Sequence, residues 1–163
     1  MNSLWSETVK LDGFALLKGD AKTNVLIIGG GMAGILCAYF LQNAGVDYIL
    51  AEANKIGGGI TKNTTAKITA QHGLLYHKLL KNAGTEKTQM YLNANQSALD
   101  EYRRLCVGID CDFEEKDAYV YSLNDRKIIE NELSALNKIG FDGFGCGYSA
   151  CRATFSGMYR YRL

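Results

Sequence analysis

The sequence lacks any real excess of charge: 18 lysines and arginines stand against 17 aspartates and glutamates in 163 residues, a formal net charge of +1. Without a basic surplus there is no electrostatic reason to expect nucleic acid or an anionic membrane surface as a partner. A leader is missing as well. Met1-Asn-Ser-Leu-Trp-Ser-Glu has neither the basic start nor the apolar stretch of a secretory signal, so nothing argues that the five cysteines form disulfides, and a cytoplasmic, reduced protein is expected. Metal-ligand spacing is also absent. Cys106 and Cys111, like Cys146 and Cys151, are paired more widely than zinc sites use, and His72 and His77 are not arranged with them as ligands. No metal site is expected.

What is present suffices for a core. With 47% hydrophobic and 21% charged residues the composition is globular, and the length suits one ordinary domain. The run from Val25 to Val46 carries no charge and is about as long as a membrane-spanning helix. Gly29, Gly30 and Gly31 in a row would break such a helix near its start, and Gln42 and Asn43 would sit unpaired at its far end. A strand, a turn and a helix explain the same residues better, so no membrane span is expected.

Along the chain, Met1 to Asp20 has scattered apolar positions (Leu4, Trp5, Val9, Leu11, Phe14, Leu16, Leu17) and reads as a lead-in on the domain surface. Asn24-Val-Leu-Ile-Ile, closed by glycines, predicts a strand buried on both faces. From Met32 the apolar residues fall at helical spacing (Ile35, Leu36, Tyr39, Phe40), with Ala44-Gly45 as a stop. Val46 to Ala51 predicts a second buried strand, completing a βαβ unit of about 28 residues. Beyond it, a short helix over Leu74 to Asn82 and a long one over Thr85 to Cys106 are expected, the latter burying a stripe of Tyr91, Ala94, Ala98, Tyr102 and Leu105. Asp117 to Leu123 reads as a strand and Arg126 to Ile139 as a helix closed by Gly140. After Asp142 no acidic residue follows, glycine and aromatics become dense, and no helical or strand period survives. Residues 1–141 therefore read as one domain segment and 142–163 as an atypical tail, truncated or out of frame.

Gly29-Gly30-Gly31-Met32-Ala33-Gly34 satisfies G-x-G-x-x-G. The match gains weight from its setting, because a strand ends at Gly29, a helix begins near Met32, and Glu52 closes the second strand about 20 residues on. Gly29 permits a tight turn, Gly31 lets the backbone approach a pyrophosphate, and Gly34 brings helix and strand close. Glu52 offers its oxygens to an adenosine ribose and would repel the extra phosphate of NADP. The fold class is α/β, with a Rossmann-like dinucleotide-binding βαβ domain. FAD and NAD share this half-site, so the fingerprint alone does not choose between them.

Val25 to Glu52, with Gly34-x-x-x-Ala38-x-x-Leu41 on the helix, resembles the N-terminal FAD-binding segment of the D-amino-acid oxidase-like FAD-dependent oxidoreductases. The following Gly57-Gly-Gly-Ile-Thr-Lys-Asn-Thr-Thr-Ala-Lys-Ile-Thr-Ala-Gln-His-Gly is similar, more narrowly, to a bacterial branch of that superfamily often fused to a Rieske iron–sulfur domain. The similarity runs from about Leu4 to Phe141. No Rieske cluster motif occurs in this chain, so no iron–sulfur cluster is expected in it. The resemblance implies FAD as cofactor, with contacts from Gly29, Gly31, Met32, Ala33, Gly34, Glu52 and Ala53, and from Thr61, Thr64, Thr65 and Lys67 in the loop after the second strand. Hydroxyls and a lysine in a glycine-opened loop independently suit a diphosphate.

The family's activity implies oxidation of amines or amino acids by hydride transfer to flavin. Its substrate residues come from a second, sheet-rich domain and the far end of the chain, so an incomplete sheet with an exposed edge is expected here. No catalytic residue is assigned, His72 included. Two other readings stay open: a stand-alone FAD- or NAD-binding module whose sheet a partner chain completes, and an inactive truncated product. Gly31→Val is expected to abolish cofactor binding.

Overall fold

A computed structural model describes residues 13–141 of the chain, together with the backbone of 144–145 and 150–158. The early lead-in residues Leu4, Trp5, Val9 and Leu11 lie outside the described residues, as do Cys146, Arg160 and Arg162. The chain divides into two compact units, Met1–Thr65 and Ala66–Leu163.

In the first unit, β1 (Val25–Ile28), α1 (Met32–Asn43) and β2 (Tyr48–Ala51) follow one another, and a single 3-10 turn covers Ile60–Asn63. The strands pair in parallel, Val25 opposite Tyr48 through Ile28 opposite Ala51, and the Gly29 N–H donates to the Ala51 carbonyl at 2.8 Å. A parallel pair needs a crossover, and α1 supplies it. The helix stops where glycine allows it: the Ala44 N–H reaches the Phe40 carbonyl at 3.0 Å, and Gly45 takes φ 67°. Burial of β1 differs from expectation. Leu26 is 57% exposed and Ile28 84% exposed, whereas Val25 and Ile27 are half-buried. Successive side chains point to opposite faces of a strand, and one crossover helix covers one face. The result is a short parallel sheet of two strands, an incomplete Rossmann-like arrangement in which both strands are edges.

In the second unit, helical residues run from Tyr76 to Cys106 (α2), but Gly84 leaves helical geometry at φ 79°, ψ 174°. The two expected helices are therefore separated by one residue whose conformation suits glycine. The buried face of the longer part is rotated from the expected stripe. Thr88, Leu92 and Leu99 are buried, while Tyr91, Ala94 and Ala98 are exposed. Leu92 and Leu99 lie two turns apart and offer more apolar area than the alanines, which decides the face.

β3 (Phe113–Tyr121) leads to α3 (Arg126–Lys138). The Asp125 carboxylate accepts from the N–H groups of Lys127 at 2.9 Å and Ile128 at 3.3 Å, capping α3, and Gly140 closes it at φ 75°. Ala70, Tyr76, Leu92, Leu99, Ile129, Ala135, Leu136 and Ile139 form the core. Beyond Asp142, where no period is legible, the backbone forms β4 (Phe144–Gly145) and β5 (Ala150–Met158). β5 lies between β3 and β4 and pairs antiparallel with β3 over its full length, Phe113 opposite Met158 through Tyr121 opposite Ala150. Ladder pairing, rather than side-chain alternation, makes this strand.

Candidate functional site

The end of β1 and the start of α1 are packed as closely as glycine permits. Gly29 turns the chain at φ 107°, a conformation that disfavours any side chain. A Cβ on Gly34 would collide with the Gly29 carbonyl oxygen and lie 3.4 Å from Ile27 Cγ2, so the first helical turn rests directly on the strand end. At buried Gly30 a Cβ would stand 2.9 Å from Ile56 Cγ1 and 3.2 Å from Glu52 Cβ. Gly31 differs, since a Cβ there would meet only Thr61 Oγ1, at an ordinary 3.4 Å. Packing demands Gly30 and Gly34, and the positive φ demands Gly29. At Gly31 the small residue leaves open room in front of the helix.

That room lies at the positive end of α1. Gly31 provides no side-chain cap and the first turn has no acidic residue. Thr61, carried there by the 3-10 turn, accepts from the Met32 N–H at 3.0 Å. Its own hydroxyl proton can rotate to another acceptor.

Glu52 sits at the other side of the glycine loop. Its Oε2 accepts from the Gly30 N–H at 2.7 Å and its Oε1 from the Asn54 N–H at 2.8 Å. These bonds, Gly30 first and then Asn54, hold its carboxyl below the usual carboxylate range, against a smaller opposing effect of burial. Glu52 is thus ionised at neutral pH, and each oxygen retains acceptor capacity for a hydroxyl. The loop is braced from behind as well, because the Gly57 N–H donates to the Gly30 carbonyl at 2.8 Å.

The structure therefore brings Gly29, Gly31, Met32, Ala33, Gly34, Glu52 and Thr61 to one place. Ala53 is exposed beside Glu52, Thr64 is half-buried just past the 3-10 turn, and Thr65 is exposed. Lys67 and His72, both exposed, belong to the second unit. The sequence reading missed Gly30, Ile56 and Asn54, although the second glycine cluster at Gly57 was a signal that another turn folds back on the first.

It also missed Glu132. This carboxylate is 0% exposed. Its Oε1 accepts from Gln71 Nε2 at 2.8 Å, the Leu75 N–H at 2.9 Å and the Tyr76 N–H at 2.8 Å, and its Oε2 from the His77 N–H at 2.8 Å. A residue of α3 thus caps the start of α2. Nearby, the Tyr76 hydroxyl donates to the Ala70 carbonyl at 2.5 Å, and burial, then Tyr91 and Glu132, push its pKa upward. The available signal was a carboxylate falling on the apolar stripe of Ile129, Leu136 and Ile139.

Among the described residues no group of three or more histidines, cysteines or acids is placed to hold a metal, and no helix is long and apolar enough to cross a membrane. Residues 24–146 match the family described as FAD dependent oxidoreductase. The chain is 37% identical over 142 residues to YhfW of Bacillus subtilis (strain 168), which is named as a Rieske 2Fe-2S iron-sulfur protein. The match covers 85% of this chain and 28% of that relative. No solved structure matches the chain. The matched region contains the whole βαβ unit with its glycine turn and ionised Glu52, and the chain belongs to the FAD dependent oxidoreductase family.

Proposed function

We propose that this chain binds FAD through its βαβ unit, as the nucleotide-binding part of an enzyme that oxidises amines or amino acids by hydride transfer to the flavin. The observation that carries this reading is the contrast within the fingerprint: Gly29 is required by its positive φ and Gly30 and Gly34 by packing, while Gly31 meets only Thr61 and leaves room at a helix start whose own N-cap residue brings no side chain. Such room suits a diphosphate drawn in by the helix dipole and backbone N–H groups.

In this reading Gly29 shapes the turn, Gly31 lets the diphosphate approach, and the backbone of Met32, Ala33 and Gly34 receives it. Glu52, with Ala53 beside it, takes the adenosine ribose. Thr61 turns its hydroxyl proton toward a phosphate oxygen while still accepting from Met32, and Thr64 and Thr65 extend the same polar loop; Lys67 is assigned to the cofactor by the resemblance alone. Bound flavin supplies the redox chemistry by accepting the hydride. The choice of FAD over NAD rests on the family, and the substrate class rests on the resemblance of the Gly57 to Gly73 stretch. The chain spans 28% of the length of its relative, so groups that bind substrate are assigned to parts of such an enzyme beyond this span.

A second reading is a stand-alone module whose sheet is completed by another chain. It is favoured by the exposure of Leu26 and Ile28 on a two-stranded sheet. Both readings place a dinucleotide at the same glycines, FAD in the first and FAD or NAD in the second.

The test is a visible spectrum of the purified chain after incubation with FAD and gel filtration, with NAD as competing titrant. A flavin band that remains with the protein supports the reading. Gly31→Ala, which meets only Thr61 in the fold, is expected to leave the melting temperature unchanged and to weaken FAD retention at least about tenfold, and Gly31→Val to abolish it. Equal retention by wild type and both variants would place the diphosphate elsewhere.

A further inference from the structure

We propose that Cys106 and Cys111 form a reversible disulfide that closes the turn between α2 and β3, with hydrogen peroxide as the oxidant. Cys106 is the last residue of α2, and Cys111 stands two residues before β3. Between them the backbone doubles back. The Ile109 N–H donates to the Cys106 carbonyl at 3.2 Å, and the Cys111 N–H to the Ile109 carbonyl at 2.9 Å. Gly108 takes φ 78°, which suits glycine, and Asp112 takes φ 52°, which a residue with a side chain rarely adopts. Just before the turn, Arg103 Nε pairs with Glu115 Oε1 of β3 at 2.6 Å, so the end of the helix and the strand are already held together.

Inside this frame Cys111 stands close enough to Cys106 to raise its thiol pKa. Both are free and half-buried, shielded from bulk solvent yet reachable by a small oxidant. The composition argues against a permanent disulfide, but a transient one needs only contact and an oxidant.

The roles of the two sulfurs differ. Burial first, and then Cys111 beside it, push the Cys106 thiol upward, which makes Cys106 the weaker nucleophile toward peroxide and assigns the first attack to Cys111. The Cys111 sulfur attacks one peroxide oxygen; an S–O bond forms, the O–O bond breaks, and the departing oxygen leaves as water with the Cys111 proton. Cys106 then attacks the sulfenic sulfur of Cys111. The S–S bond forms, the S–O bond breaks, and the second water leaves with the Cys106 proton. Two thiols and one peroxide give one disulfide and two waters, with two electrons passing from sulfur to oxygen. A low-mass thiol reverses the bond by exchange.

Trypsin releases both cysteines in one peptide, Leu105 to Lys116, bounded by cleavage after Arg104 and after Lys116. The full chain is treated with a small excess of hydrogen peroxide, alkylated and digested. The expected product is this peptide, unalkylated and lighter by two hydrogens, restored to doubly alkylated form by prior reduction. Concentrated urea is expected to slow its formation about tenfold, because the folded turn holds the thiols together. The Cys106→Ser variant is expected to give a sulfenic acid at Cys111 that dimedone captures, and Cys111→Ser to leave Cys106 alkylatable at the same dose. Alkylation of both cysteines after peroxide, cross-linking between chains, or a rate unchanged in urea would each overturn the proposal.

Discussion

The two units satisfy their polar groups in opposite ways. In the second unit a buried carboxylate, Glu132, receives three backbone N–H groups and one side-chain amide, under a core in which Leu136 is 0% exposed. The first unit has little interior: among its described residues only Gly30 and Ala38 are buried. Its carboxylate, Glu52, stands near the surface, and its helix start faces open room. One unit spends its charges on holding itself together, while the other keeps them where a ligand can reach. Stability is accordingly expected to be uneven along the chain.

The comparison can be broken most severely at Glu132. Glu132→Ala removes the acceptor of four buried or half-buried donors, and a loss on the order of 4 kcal/mol is expected, read as urea unfolding of the α2 and α3 circular dichroism signal. Glu132→Gln, which keeps one acceptor oxygen, is expected to lose less. A wild-type midpoint for the alanine variant would show that the capping is incidental.

Next comes Gly34→Ala, where a Cβ collides with the Gly29 carbonyl oxygen. About 2 kcal/mol of local destabilisation is expected, together with loss of retained flavin. Amide exchange in β1 and α1 should report the change while exchange in α3 stays as in wild type. Thr61→Val is milder, removing the acceptor of the Met32 N–H at a cost of about 1 kcal/mol, seen as faster exchange of that amide.

The smallest effect is a pH dependence. Because the folded-state pKa of Glu52 is lowered, its contribution is fully present above the ordinary carboxylate value and is lost as pH falls through the lowered one. An acid titration followed at the Gly30 amide is expected to show that loss. In Glu52→Gln the amide should not titrate with it.

Much of the first unit was legible because its constraints are local. The glycine run, the apolar strands and Glu52 lie within about 28 residues, and each part of the βαβ unit restricts the next. The break between two helices at Gly84 was legible for the same reason. What escaped was set by distant partners. Leu92 rather than Tyr91 faces inward because α3 packs on that side, and β5 is a strand because β3 pairs with it. Glu132 escaped because its partners, Gln71 and residues 75–77, lie more than fifty positions away. Within the site, Gly30 was read as a free position between two required glycines, whereas Ile56 and Glu52 leave it no room.

The bond from the Gly30 N–H to Glu52 bears on any attempt to redesign cofactor preference. A cationic residue at position 52 would be the obvious way to welcome a 2′-phosphate. Such a swap would also remove the acceptor that anchors the glycine loop, because arginine and lysine only donate. The side chain proposed to take the adenosine ribose is at the same time a strut of the scaffold. Changing what the pocket prefers therefore requires a second substitution that supplies a new acceptor for Gly30.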